Sequence, residues 1–248
     1  MRDNFKTYKM KSPLQWLALA SVTMVSGISF SQQTLYVSST GSDASNNCLT
    51  PGSPCGTISH AYTQATASDT IKIAPGNYTL TSTLNLLQSV VLTGANPANM
   101  PVITSTASDV ISVNSDDVTI SNIKFSMGLT ASTGLRGIVA NAGSFDNLKI
   151  ANNVFESVNP ISGTPNTNMV WNAFAISLTS TAGDVQNVTV EDNQIIAGAT
   201  ANVFGRGIFL GNGGLGLDAP GGTINGNTIN AYYAIQSVLM ADDLLISD

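Results

Sequence analysis

Histidine, cysteine and positive charge are all scarce in this 248-residue sequence, and each scarcity removes a class of chemistry. One histidine, His60, leaves no pair for a histidine-based zinc site and gives poor support to a serine triad. Of the nine Lys and Arg residues, four (Arg2, Lys6, Lys9, Lys11) fall in the first eleven positions. The remaining five, Lys72, Lys124, Arg136, Lys149 and Arg206, are too dispersed to grip a phosphate backbone, which excludes nucleic acid as a partner. Beyond the N-terminal region no apolar run is long enough for a membrane span.

What is present begins with an address. The basic start runs into an apolar stretch from Leu14 to Ile28, short for a span and diluted by Ser21, Thr23, Ser26 and Gly27. Small residues at Ser29 and Ser31 flank Phe30 as a signal peptidase requires, so cleavage is expected after Ser31 and export to the cell surface or medium follows. Met10 offers a second possible start. The mature chain then keeps five cations against fourteen carboxylates, a net charge of −9, which also disfavours anionic membrane surfaces. Cys48 and Cys55 lie close together in a loop rich in Asn, Pro and Gly, and in an oxidising compartment they are expected to form a disulfide rather than half of a zinc site.

About two hundred mature residues can bury one elongated core. Charged residues make up only 10% of the sequence while Gly, Asn, Ser and Thr abound, which suits many short strands joined by tight turns. A repeat supplies the detail. Asp116-Asp117-Val118-Thr119-Ile120-Ser121-Asn122 has further copies at Asn147–Asn152, Asn187–Asp192, Gly222–Gly226 and Asp242–Asp248. Each alternates apolar and polar residues as a half-buried strand does, and three then reach an Asn, at Asn153, Asn193 and Asn227, where the first copy has Ile123. Asn stacked on Asn predicts a side-chain ladder at an inward turn.

A second strand precedes each later copy, centred on Ile138, Ile176, Ile208 and Ile235, with Gly137, Ala175, Gly207 and Ala234 just before. The copies recur after 30, 40, 34 and 22 residues, steps too uneven for a fixed-period solenoid but natural for coils with variable loops. The expected architecture is all-β, a right-handed parallel β-helix with at least two strands per coil. Residues 1–31 form the signal, 32–68 an opening strand, cysteine loop and cap helix, and 69–248 the coils. Residues 57–65 carry apolar side chains at helical spacing (Ile58, Ala61, Tyr62, Ala65) that suit a lid on the first coil. The last copy stops in mid-repeat, so a fragment of a longer protein is expected.

Leu35-Tyr36-Val37-Ser38 with Thr40-Gly41-Ser42-Asp43, then Pro54-Cys55-Gly56-Thr57-Ile58, then Asp69 through Tyr78 with its Pro75-Gly76 turn, resembles the opening module of the pectate-lyase-like β-helix superfamily. That resemblance, which covers nearly the whole mature chain, implies the same coiled fold. It does not select a function, because the superfamily includes lyases, hydrolases, esterases, tailspikes and non-catalytic adhesins.

Hydrolases of this fold pair Asp residues with a His and an Arg-x-Lys element, and neither occurs here. Asp116-Asp117 and Asp242-Asp243 read as turn residues, and no catalytic residue is assigned. A calcium-dependent lyase needs no His; Glu191 and Asp192, with Glu156 one coil earlier, are its candidate ligands for calcium. Two residues before each second-strand Ile stand Arg136, Phe174, Arg206 and Tyr233, an alternation that suits stacking on sugar rings and gripping uronic carboxylates. The expected function is an exported, non-catalytic β-helix stalk that contacts a polysaccharide or surface glycan, with the calcium-dependent polysaccharide lyase as the alternative.

Overall fold

Alternation along Thr119-Ile120-Ser121 turns Ile120 inward and its neighbours outward, and the same geometry repeats up the molecule. The structure is a computed structural model describing residues 31–128, 135–141, 145–158, 169–179, 185–197, 203–211, 221–238 and 245–247. The expected signal segment, apart from Ser31, lies outside the described residues. One compact unit extends over Gln32–Asp248.

The chain enters through β1 (Thr34–Val37) and α1 (Ile58–Gln64). The first coil is β2 (Asp69–Ile73), β3 (Asn77–Leu80) and β4 (Leu84–Leu86); the second is β5 (Val90–Gly94), β6 (Val102–Ser105) and β7 (Asp109–Val113). The third contains β8 (Thr119–Ser121), β9 (Lys124–Met127) and β10 (Arg136–Ala140), and the fourth β11 (Lys149–Ala151), β12 (Val154–Ser157) and β13 (Met169–Leu178). The fifth is β14 (Thr189–Glu191), β15 (Gln194–Ala197) and β16 (Val203–Gly211), and the sixth β17 (Thr223–Asn225), β18 (Thr228–Ile229) and β19 (Ala231–Val238). Finally β20 (Leu245–Ile246) lies on β17.

Every strand pairs in parallel with the equivalent strand of the next coil, giving three sheets. Sheet I is β1-β2-β5-β8-β11-β14-β17-β20, sheet II β3-β6-β9-β12-β15-β18, and sheet III β4-β7-β10-β13-β16-β19. This is a right-handed parallel β-helix with three strands per coil. Sheet II gives no separate signal in the sequence because β9, β12, β15 and β18 each begin two residues after a positive-φ corner. The register reproduces the uneven steps: Thr119, Lys149, Thr189, Thr223 and Leu245 are successive partners, so the length variation falls in the connections.

The core is a set of columns. In sheet I Leu35, Ile71, Leu92, Ile120, Ile150, Val190 and Ile224 stack inward, all essentially buried. Sheet II contributes Tyr78, Ile103, Phe125, Phe155 and Ile195, with Phe125 and Phe155 stacked at 4.8 Å and 8°. In sheet III the column Ile138, Ile176, Ile208, Ile235 continues back through Ile111 to Leu84. Each fully buried side chain of this size stabilises by about 1.5–3 kcal/mol relative to exposure, and only neighbouring coils supply the cover. The small residues preceding the sheet III column have a packing reason: a Cβ on Gly137 would sit 2.5 Å from the Ala175 carbonyl and 2.8 Å from the Phe155 ring.

The Asn ladder is present. Asn153 Nδ2 donates to the Ile120 carbonyl and to Asn193 Oδ1, and Asn193 Nδ2 donates to the Ile150 carbonyl and to Asn227 Oδ1. Ile123, which breaks the Asn column, still gives its N–H to Asn153 Oδ1. The residue before each of these turns the corner with positive φ: Asn122, Asn152, Asp192 and Gly226, at 53–60°. A second ladder runs along the opposite border of sheet I. There Asn187 Nδ2 donates to Asn147 Oδ1 and Asn147 Nδ2 to Asp117 Oδ1, while Asp116 and Asp146 accept from the backbone N–H of the following coil. Asp116 and Asp117 are therefore turn residues.

The front edge is closed by the cysteine loop more than by the helix. Tyr36 donates its N–H to the Cys48 carbonyl and accepts from Cys55, so the open edge of β1 is occupied. Cys48 and Cys55 form the expected disulfide. Thr57 caps α1 by accepting from His60 N–H, and Ile58 and Ala61 are buried beneath it.

Candidate functional site

Strands of sheet III carry the Arg–aromatic alternation two residues before the central Ile of each strand, with Arg136, Phe174 and Arg206 half-buried and Tyr233 exposed. Register pairing places Arg136 against Phe174, Phe174 against Arg206 and Arg206 against Tyr233, so the structure brings the four candidates into one column. It adds a member at the front: Asp109 pairs with Arg136. The sequence carries a signal for it, since Asp109 also stands two residues before a buried Ile, Ile111.

Each arginine has neighbours. Arg136 meets the Asp109 carboxylate with both Nε and Nη2, at 2.6 and 2.7 Å, a two-pronged pair about one-third exposed on the arginine side. The Arg206 guanidinium lies 4.9 Å from the Phe174 ring centre and 5.6 Å from that of Phe209, and its Nε donates to Gln236 Oε1. Phe174 and Phe209 themselves meet edge to face at 5.4 Å. Ser108, Asp109, Arg136, Asn172 and Phe174 line an open cleft of about 350 Å³. Tyr233 is at the far end of the column, 39% exposed and edge to face with Tyr232.

The three acidic candidates are not brought together. Glu156 is on sheet II, paired with Lys124 at 2.6 Å, and Glu191 is on sheet I, paired with Lys149 at 2.6 Å. Asp192 occupies the left-handed corner that follows Glu191. Among the described residues the only group of three potential ligands within 4.8 Å of one another is Cys48, Cys55 and His60. α1 carries His60 back over the cysteine loop, with Nε2 2.8 Å from the Asn46 carbonyl oxygen. Both sulfurs are engaged in the disulfide.

Two titrating groups mark the opening module. Burial works against ionisation of Asp43, yet hydrogen bonds from the Thr57 hydroxyl and from the N–H groups of Thr57 and Gly56, with the charge of His60, hold its carboxyl below the usual 3.8. Burial pushes the Tyr78 phenol above its ordinary 10, opposed by a backbone hydrogen bond from Ser39.

No protein-family model matches the chain, and no curated protein matches it in sequence. Among solved structures it is similar to a rhamnogalacturonan lyase at 15% identity and a TM-score of 0.42, over 83% of this chain and 65% of that one. It is also similar to a pectin methylesterase from Aspergillus niger, at 15% identity and a TM-score of 0.41, over 88% of this chain and 85% of that one. The chain thus spans less than two thirds of the lyase's length. Among the described residues no helix is long and apolar enough to cross a membrane.

Proposed function

We propose that this protein is an exported, non-catalytic β-helix stalk whose sheet III face contacts carbohydrate. The observation that carries the reading is the column Asp109, Arg136, Phe174, Arg206, Tyr233 beside an open cleft. An aromatic face flanked by fixed hydrogen-bonding groups is the arrangement a sugar ring needs, apolar C–H groups against Phe174 and hydroxyls toward Asp109, Asn172 and Arg136. Because Asp109 already neutralises Arg136, the cleft favours hydroxyl-rich sugars over the uronic carboxylates that the sequence alone pointed to. The disulfide in the opening module supports export, since such bonds persist in oxidising compartments. A non-catalytic role is supported by the employment of the acids in the architecture: Asp116, Asp117 and Asp146 in turn ladders, Glu156 and Glu191 in lysine pairs.

The test is a glycan array probed with the purified protein, with and without calcium, read for retention and for newly formed unsaturated ends. Retention without product, lost in Phe174→Ala, is the expected result. Calcium-dependent product would replace this reading with a lyase, and the absence of both would reduce the protein to a spacer.

A further inference from the structure

Among the described residues one cation has no side-chain partner. Lys124 and Lys149 pair with glutamates, Arg136 with Asp109, and Arg206 is held by Gln236 and two rings, whereas Lys72 stands alone on the outer face of sheet I. Its register partner one coil forward is Tyr36. Together with Val37, Ser38, Pro51, Pro54, Ala74 and Ala95 they line a cleft of about 370 Å³, on a different sheet from the Arg–aromatic column. That is the size of small-molecule sites at the lower end of their range, enough for one substituted ring.

We infer that this cleft binds a small carboxylate carried on a single ring. The walls are apolar, Tyr36, two prolines and two alanines, and the one charge they leave exposed is positive, in a mature chain whose net charge is −9. A ligand that spreads a ring over Tyr36 and the prolines while its carboxylate accepts a charge-assisted hydrogen bond from Lys72 Nζ satisfies both features. A neutral ring would leave the ammonium unused, and a multiply charged anion would meet the acidic remainder of the surface.

The cleft is built in advance. Asn46 Nδ2 donates to the carbonyls of Ser42, Ser53 and Pro54, at 2.8, 3.1 and 3.0 Å, and its Oδ1 accepts from Cys48 N–H at 2.8 Å. The disulfide joins the two ends of the same segment, and Tyr36 is bonded to both cysteines through its backbone. The Pro51–Pro54 wall is therefore fixed over β1 without a ligand, which keeps the ordering cost of binding low.

The experiment is calorimetric titration of the purified protein with benzoate, glucuronate and benzamide, repeated on Lys72→Gln and Lys72→Arg. Saturable binding of benzoate or glucuronate, no binding of benzamide, at least tenfold weaker affinity in Lys72→Gln and retention in Lys72→Arg is the expected pattern. Whichever of the two carboxylates binds identifies the ring as aromatic or sugar. Benzamide binding as well as benzoate, undiminished affinity in Lys72→Gln, or no heat from either carboxylate overturns the inference. Lys72 is exposed, so the variants keep their fold, and glycan retention on sheet III is read separately.

Discussion

Asn193 Oδ1 accepts twice from Asn153, from the backbone N–H at 3.0 Å and from Nδ2 at 3.1 Å, at a site where both residues are 1% exposed. Replacing Asn193 with Ala therefore orphans the Asn153 N–H and removes a second donor from the Ile150 carbonyl, which keeps its place in the β11–β14 ladder. A buried polar group left without a partner costs about 1–3 kcal/mol, so the variant should lose roughly that much in urea unfolding. Asn227→Ala, at a partly exposed rung, should lose less. Equal losses would show that the ladder does not act through burial.

Gly137→Ala should destabilise by about 1–3 kcal/mol, because the added methyl meets backbone and the Phe155 ring rather than a flexible chain end. Gly52→Ala, where a Cβ meets nothing within 4 Å, is the matched control and should be nearly neutral. Thermal midpoints of the two variants decide the matter.

Asp109 and Arg136 should show a coupling energy of roughly 1 kcal/mol in a double-mutant cycle on stability, falling as salt is raised. The glycan readout separates the roles of the pair. Asp109→Asn should convert the cleft toward anionic sugars by freeing part of the Arg136 charge, detected as a changed ranking of neutral and uronic glycans on the array.

The opening module should respond to pH at both ends. Asp43 has a lowered pKa, so its contribution is present above the usual 3.8 and lost as pH falls through the depressed value; Asp43→Asn should flatten the acid limb of the stability profile. Tyr78 has a raised pKa, so its contribution is present below 10 and lost as pH rises through the raised value, and Tyr78→Phe should remove that alkaline limb. Denaturant midpoints across the pH range give both slopes.

How much of this was legible in the sequence depended on the period of each signal. Sheet I was visible because its repeat combines a two-residue alternation with an Asn that must turn inward, and sheet III because an aligned Ile fixes the register that puts Arg136 opposite Phe174. Sheet II was hidden by brevity: Phe125 and Phe155 follow the turn so closely that no separate alternation can be counted. Asp109 escaped because its strand precedes the first aligned copy. The salt bridges of Glu156 and Glu191 run diagonally between coils, and no one-dimensional spacing reveals a diagonal. Lys72 stood in plain view, but its lack of a partner is a property of everything around it.

The two side-chain ladders bordering sheet I have a mechanical consequence. One rail runs through Asn153, Asn193 and Asn227 and the other through Asp117, Asn147 and Asn187, so the coils are riveted along both margins of one face. Opening that face means breaking rungs in both rails at once, while the connections on either side of sheet III differ in length from coil to coil. The solenoid is accordingly a beam with a stiff side, and a pull on its end should flex it in one preferred plane.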